Sequence, residues 1–118
     1  MEHMMKFFRD KIVGFGGSWG SGLAALKFEH GSIYCDNGPA VRMLNQLYPG
    51  FIQPDHTVDS SRIAGKEVIY FYDDMGLTLG GLMPIDRWNE QWQGPEIPAG
   101  SSLEFSEDEI RKIHGVAE

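Results

Sequence analysis

The chain has 118 residues, of which 42% are hydrophobic and 23% charged. These are the proportions of one ordinary folded domain with a single core, and they exclude disordered, collagen-like and coiled-coil chains. Asp and Glu outnumber Lys and Arg by 17 to 10, for a formal net charge of −7; neutralising a duplex needs a basic surplus on one face, so nucleic acid is not an expected partner.

Met1-Glu2-His3 reads as a cloning remnant ahead of a native start at Met4 or Met5, so residues 1–118 form one globular domain with positions 1–3 set aside. Lys6-Phe7-Phe8-Arg9-Asp10-Lys11 is broken by four charges and lacks the apolar centre of a signal peptide. No run approaches the ~18 apolar residues of a membrane helix. A single cysteine, Cys35, cannot build a disulfide framework, and these features together point to the cytoplasm without membrane association.

Lys11-Ile12-Val13-Gly14-Phe15 predicts a short N-terminal strand. Gly16-Gly17-Ser18-Trp19-Gly20-Ser21-Gly22 follows, too rich in Gly and Ser to hold regular structure alone. Ala24, Leu26 and Phe28 then alternate with Lys27 and Glu29, His30-Gly31 supplies a turn, and Ile33-Tyr34-Cys35 returns, so residues 23–35 read as a hairpin. Asp36 or Asn37 ahead of Pro39 starts a helix over 39–48, with Val41, Leu44, Leu47 and Tyr48 on one stripe and Pro49-Gly50 as its stop. Residues 51–65 have no sustained period and form a connection long enough to carry function.

Val68-Ile69-Tyr70-Phe71-Tyr72 is the strongest strand signal in the chain, and with Leu77–Met83 it makes a second hairpin over 66–83, turning at Asp73-Asp74-Met75-Gly76. Gly80-Gly81 marks a bulge or a close approach. Trp88 and Trp92, four apart, stack on one face of a short helix, and Gly94–Gly100 reads as a linker. Ser106 with Glu109 is a capping box that opens a C-terminal helix over 107–114. The predicted fold is therefore α+β: an antiparallel sheet from the two hairpins and the N-terminal strand, with the 39–48 helix on one face. A curled sheet or half-barrel is the alternative that the glycines permit. The second sheet face needs closing by the Trp88/Trp92 segment, by the last helix or by another chain.

The glycine-rich segment fails as a phosphate loop, because no Gly-Lys-Ser/Thr precedes a helix and Trp19 stands where a dinucleotide motif counted from Gly14 needs its third glycine. Asp55, His56 and Asp59 are the candidate catalytic residues: a carboxylate can orient an imidazole base, although solvated loop polarity and a capping role for Asp59 explain the same residues. Asp73-Asp74 reads as a turn former rather than a cation site. Cys35 can be paired with His30 as a nucleophile and base, but its strand parity matches Ile33, which favours an inward, inert thiol. His114, near a helix C-terminus, suits the helix dipole and carries no further signal. Trp19, Trp88, Trp92, Tyr70 and Tyr72 are the candidate binding residues, since surplus Trp and Tyr is what interfaces and ligand walls use.

No complete catalytic set is present, so the expected protein is a small binding or accessory protein rather than an enzyme, acting through an aromatic surface or groove as a homo-oligomer or with a protein partner. One alternative is a small hydrolase-like enzyme using Asp55, His56 and Asp59 beside the Gly16–Gly22 lip. Another is a small-molecule-binding protein without catalysis, its pocket between sheet and helix and lined by Trp or Tyr. No metal and no cofactor are expected.

Overall fold

A computed structural model of the protein describes residues 4–16, 22–92 and 94–113. The elements in chain order are β1 (Met4–Gly16), β2 (Leu23–Phe28), β3 (Gly31–Asp36), α1 (Asn37–Leu47), a 3-10 turn (Ser60–Arg62), β4 (Glu67–Tyr72), β5 (Leu79–Pro84), α2 (Ile85–Gln91), β6 (Ser101–Ser106) and α3 (Glu107–Ile113). This is the α+β fold read from the sequence, with both hairpins, both predicted helix regions and the short tryptophan helix in place. The expected remnant at Met1–His3, Trp19 with the rest of 17–21, and His114 lie outside the described residues.

Two elements differ from the reading. The N-terminal strand is thirteen residues long rather than five, because the charges that interrupt its pattern each have an outlet: Lys6 and Lys11 are exposed, and Arg9 grips both Glu67 carboxylate oxygens on β4 at 3.0 and 3.2 Å. β6 was not expected at all. Its register on β1, Met4 opposite Ser106 through Arg9 opposite Ser101, joins the two ends of the chain, which no local pattern in Ser-Ser-Leu-Glu-Phe-Ser announces.

All named strands pair antiparallel, in the order β3-β2-β1-β4-β5, with β6 also on β1. The sheet curls until its two edges meet, and one parallel bridge joins Tyr34 on β3 to Thr78 just before β5. A bulge in β1 helps the curl. The register slips between Ile12 and Gly14, leaving Val13 exposed. This shift of parity puts odd-numbered Phe15 on the same inner face as even-numbered Ile12. At the other hairpin, a Cβ on Gly80 would lie 2.8 Å from the Tyr72 carbonyl oxygen and one on Gly81 2.6 Å from the Phe71 ring, which is the close approach the paired glycines suggested.

The sheet divides the apolar interior into two clusters, where the sequence suggested one core. Inside the curl, Ile12, Phe15, Leu26, Phe28, Ile33 and Val68 pack against Ala40, Val41 and Leu44 of α1 and against Phe51 and Ile63 from the long connection. The opposite face carries Phe7, Ile69 and Phe105, closed by Trp88, Trp92 and Ile97, with Ile110 of α3 alongside. The two indoles stack at 4.3 Å, and Trp92 Nε1–H donates to the Pro95 carbonyl at 2.9 Å. The Trp88/Trp92 segment and the last helix thus pack on the second face. The capping box of α3 is formed: the Ser106 N–H donates to Glu109 Oε1 and the Glu109 N–H to Ser106 Oγ. Asp36, at the N-cap of α1, makes no side-chain capping bond. No helix among the described residues is long and apolar enough to cross a membrane.

Candidate functional site

One edge of β1 is shared by two strands, β6 along Met4–Arg9 and β2 along Ile12–Gly16. A strand that changes partner leaves a seam in the sheet. The seam is held by the Gly100 N–H donating to the Arg9 carbonyl and the Glu29 N–H donating to the Lys11 carbonyl, at 2.8 and 2.9 Å. Asp10 lies between them. It is buried, and its carboxylate is fully used: Oδ1 accepts the Lys11 N–H at 2.8 Å, Oδ2 accepts the His30 N–H at 3.1 Å, and Oδ1 also meets His30 Nδ1 at 3.0 Å. A buried carboxylate is tolerated only when so satisfied.

The imidazole is half in solvent, with its side chain 55% exposed against 7% for Asp10. Its hydrogen bond to Asp10 is the main cause that lifts its pKa above the usual 6.5, with the nearby charges of Asp10 and Glu29 adding to the rise and partial desolvation opposing it. The ring rests against Gly100, where a Cβ would come within 2.8 Å of Nδ1 and Cε1 and where φ is +74°. Only glycine suits that position on both counts. With Nδ1 committed to the carboxylate, Nε2 is the ring's remaining polar atom.

His30 and Asp10 form part of the wall of a cleft of about 390 Å3, whose lining also includes Phe8, Tyr70 and Tyr72, Arg9, Ser32 after the turn, and Ser101 and Ser102 at the start of β6. Its aromatic wall is an extension of the core. Phe28 stacks on Tyr70 at 4.3 Å and 1°, and Tyr70 on Phe8 at 5.1 Å and 12°, while Tyr72 meets the Phe8 ring edge-on at 5.6 Å. Burial, with the neighbouring Tyr72 and Asp10, pushes the Tyr70 phenol up to about 12, so it is a neutral wall rather than an acid or base. A second groove, of about 570 Å3, adjoins the cleft through Phe8 and Tyr72 and runs to Met4, Met75 and the β4–β5 turn.

The candidate residues from the sequence fall in different places. Tyr70 and Tyr72 are in this cleft. Trp88 and Trp92 are buried in the second cluster, on the far side of the sheet from it, where Trp88 also lines a small apolar pocket of about 240 Å3 with Phe7, Phe71 and Ile110. Asp55, His56 and Asp59 sit together in the long connection but line none of the cavities described. Asp55 accepts from the Thr57 N–H and hydroxyl, and Asp59 caps the 3-10 turn by accepting from the Ser61 N–H and hydroxyl; these bonds hold both carboxyls below the usual carboxylate range. His56 is exposed and takes a left-handed backbone conformation, φ 68°, as a turn residue does. Asp73 accepts from the Leu77 N–H and the Thr78 hydroxyl, the turn-forming role read for it. Cys35 points inward, with Sγ 3.8 Å from the Ala24 carbonyl, and burial pushes its thiol up to about 11. His30, at the far end of β3, is no partner for it.

Asp10, Glu29 and Phe8 were missed, and His30 was weighed only as a base for Cys35. The available signal was parity: Phe8, Asp10 and Ile12 share one face once the strand is allowed to begin at Met4. No family model, curated protein or solved structure matches this chain, so the class that can be stated is an α+β protein with a polar and aromatic cleft at a sheet seam.

Proposed function

We propose that the protein binds a small molecule in the cleft at the β1 seam. The observation that carries this is the meeting of an aromatic wall, Phe8–Tyr70–Tyr72, with an imidazole that a buried carboxylate holds in place, around a volume of about 390 Å3. Ligand sites are of this size and combine apolar walls with a few convergent polar groups. The occupant suited to it has a flat or apolar part against Phe8 and Tyr72 and a hydrogen-bonding group for His30 Nε2 and the serine hydroxyls. A fragment library screened by amide chemical shifts, with chelator present, tests this. Hits should shift Phe8, His30, Tyr72 and Ser101 together and lose binding at least about tenfold in Tyr72→Ala. Shifts scattered over other surfaces, or hits indifferent to Tyr72→Ala, would overturn the reading.

The Asp10–His30 pair favours a second reading, a hydrolase-like enzyme with His30 rather than His56 as base. A carboxylate on Nδ1 orients the ring and leaves Nε2 to take a proton from water. Turnover of a bound fragment ester that vanishes in His30→Gln, with binding retained, would distinguish catalysis from binding alone.

A further inference from the structure

The geometry points to a divalent transition-metal site at the rim of the seam, formed by Asp10, Glu29 and His30. One donor atom from each, a carboxylate oxygen from Asp10 and Glu29 and a ring nitrogen from His30, lies within 4.8 Å of the other two. An imidazole with two carboxylates is a borderline donor set that suits Zn2+, Mn2+ or Fe2+ better than Ca2+ or Mg2+, which prefer oxygen alone. The Asp10 oxygen and His30 Nδ1 are 3.0 Å apart. Two donors on one tetrahedral ion with bonds near 2.1 Å stand roughly 3.4 Å apart, so a small rotation of the half-exposed ring admits the ion in place of the shared proton.

Two further features fit an ion rather than the hydrogen bond alone. The Asp10 carboxylate does not rely on the ring for its orientation, because the N–H groups of Lys11 and His30 hold it. It therefore stays aimed when the ring proton is displaced, which is the role of outer hydrogen bonds around a metal ligand. The ligands are also unequally buried: Asp10 is inside, whereas Glu29 and His30 are exposed and His30 borders the cleft. Three protein donors on one side leave the remaining coordination position to water or to a ligand, as in open rather than purely structural sites. The ion site shares Asp10 and His30 with the proposed ligand cleft but does not rest on that reading, since metal can bind with the cleft otherwise empty.

The test uses the full chain after removal of metal with EDTA. Titration with ZnCl2 by calorimetry should show one ion per chain, and Co2+ should give visible absorption bands of a low-coordinate site. Glu29→Gln alters an exposed side chain and so leaves the fold intact by circular dichroism; it should weaken Zn2+ at least about tenfold, and His30→Gln should do the same and abolish the Co2+ bands. Absence of Zn2+ binding up to millimolar concentration would overturn the proposal, as would binding that both variants leave unchanged. Fragment binding in the presence of EDTA reports on the cleft separately, so failure of one reading does not carry the other with it.

Discussion

Replacing Asp10 by Asn keeps the volume of the side chain and removes its charge, so it isolates what the carboxylate does at the seam. Three donors reach the two oxygens: the N–H of Lys11, the N–H of His30 and the His30 ring. An amide has one oxygen. With that oxygen placed to accept from Lys11, its NH2 group faces the His30 N–H, and two donors oppose each other in a site where Asp10 is 5% exposed. Losing one bond to a charged acceptor and stranding a part-buried N–H costs about 1.5–3 kcal/mol, and the Lys11 bond weakens as its acceptor becomes neutral, so about 2–3 kcal/mol is expected without counting the ring. For a 118-residue chain, unfolding entropy near 2.1 cal/mol/K per residue makes each kcal/mol worth about 4 °C, hence a fall in Tm of about 8–12 °C. Thermal and urea unfolding measure the total. Amide hydrogen exchange locates it: the His30 N–H should lose protection while core amides such as Leu26 change only with global stability. A fall in Tm below about 2 °C, with His30 still protected, would refute the role given to the carboxylate.

In chelator-treated protein the His30 ring should titrate above 6.5 and drop back in Asp10→Asn, as read from its ring-proton shifts. Because the folded state holds this proton more tightly than the unfolded state, its contribution to stability is complete below pH 6.5 and is lost as pH rises through the raised folded value; urea midpoints across that range should show the decline in the native protein and not in the variant. Ser106→Ala removes the acceptor of the Glu109 N–H and should cost about 1 kcal/mol, or about 4 °C in Tm. Gly80→Ala drives a Cβ to 2.8 Å from the Tyr72 carbonyl oxygen, a backbone clash that no rotamer relieves, so it should destabilise by about 1–3 kcal/mol in urea unfolding. Cys35, buried with its thiol pushed up to about 11, should react with a disulfide reagent only as fast as the protein unfolds, and promptly in denaturant.

Local chemistry was enough for the elements whose stabilising contacts are close in sequence. The alternation of Ala24, Leu26 and Phe28 located β2, the stripe of Val41 and Leu44 located α1, and Ser106 with Glu109 located the start of α3, because each pattern is imposed by the period or the open hydrogen bonds of its own element. The spacing of Trp88 and Trp92 correctly predicted that the two indoles stack, although Trp92 is the extended C-cap residue just past α2 rather than a helical one, and it could not tell a buried pair from an exposed one. That choice depends on Phe7 and Phe105, which arrive from opposite ends of the chain to cover them.

The candidate site shows the same limit more sharply. Asp55, His56 and Asp59 are close in sequence and so looked like a constellation, but the two carboxylates are spent on their own turns and His56 is an exposed turn residue. Asp10 and His30 are twenty residues apart and Gly100 is at the other end of the chain; they meet only because β6 and β2 divide one edge of β1 between them. The seventeen acidic residues suggested nothing at Asp10, since composition does not record which carboxylate is buried. Period, capping and turn chemistry act over a few residues and are legible in the sequence. Strand partnering acts over the whole chain, and it was strand partnering that curled the sheet, buried Trp88 and Trp92 and set a carboxylate beneath an imidazole at the edge of a cleft.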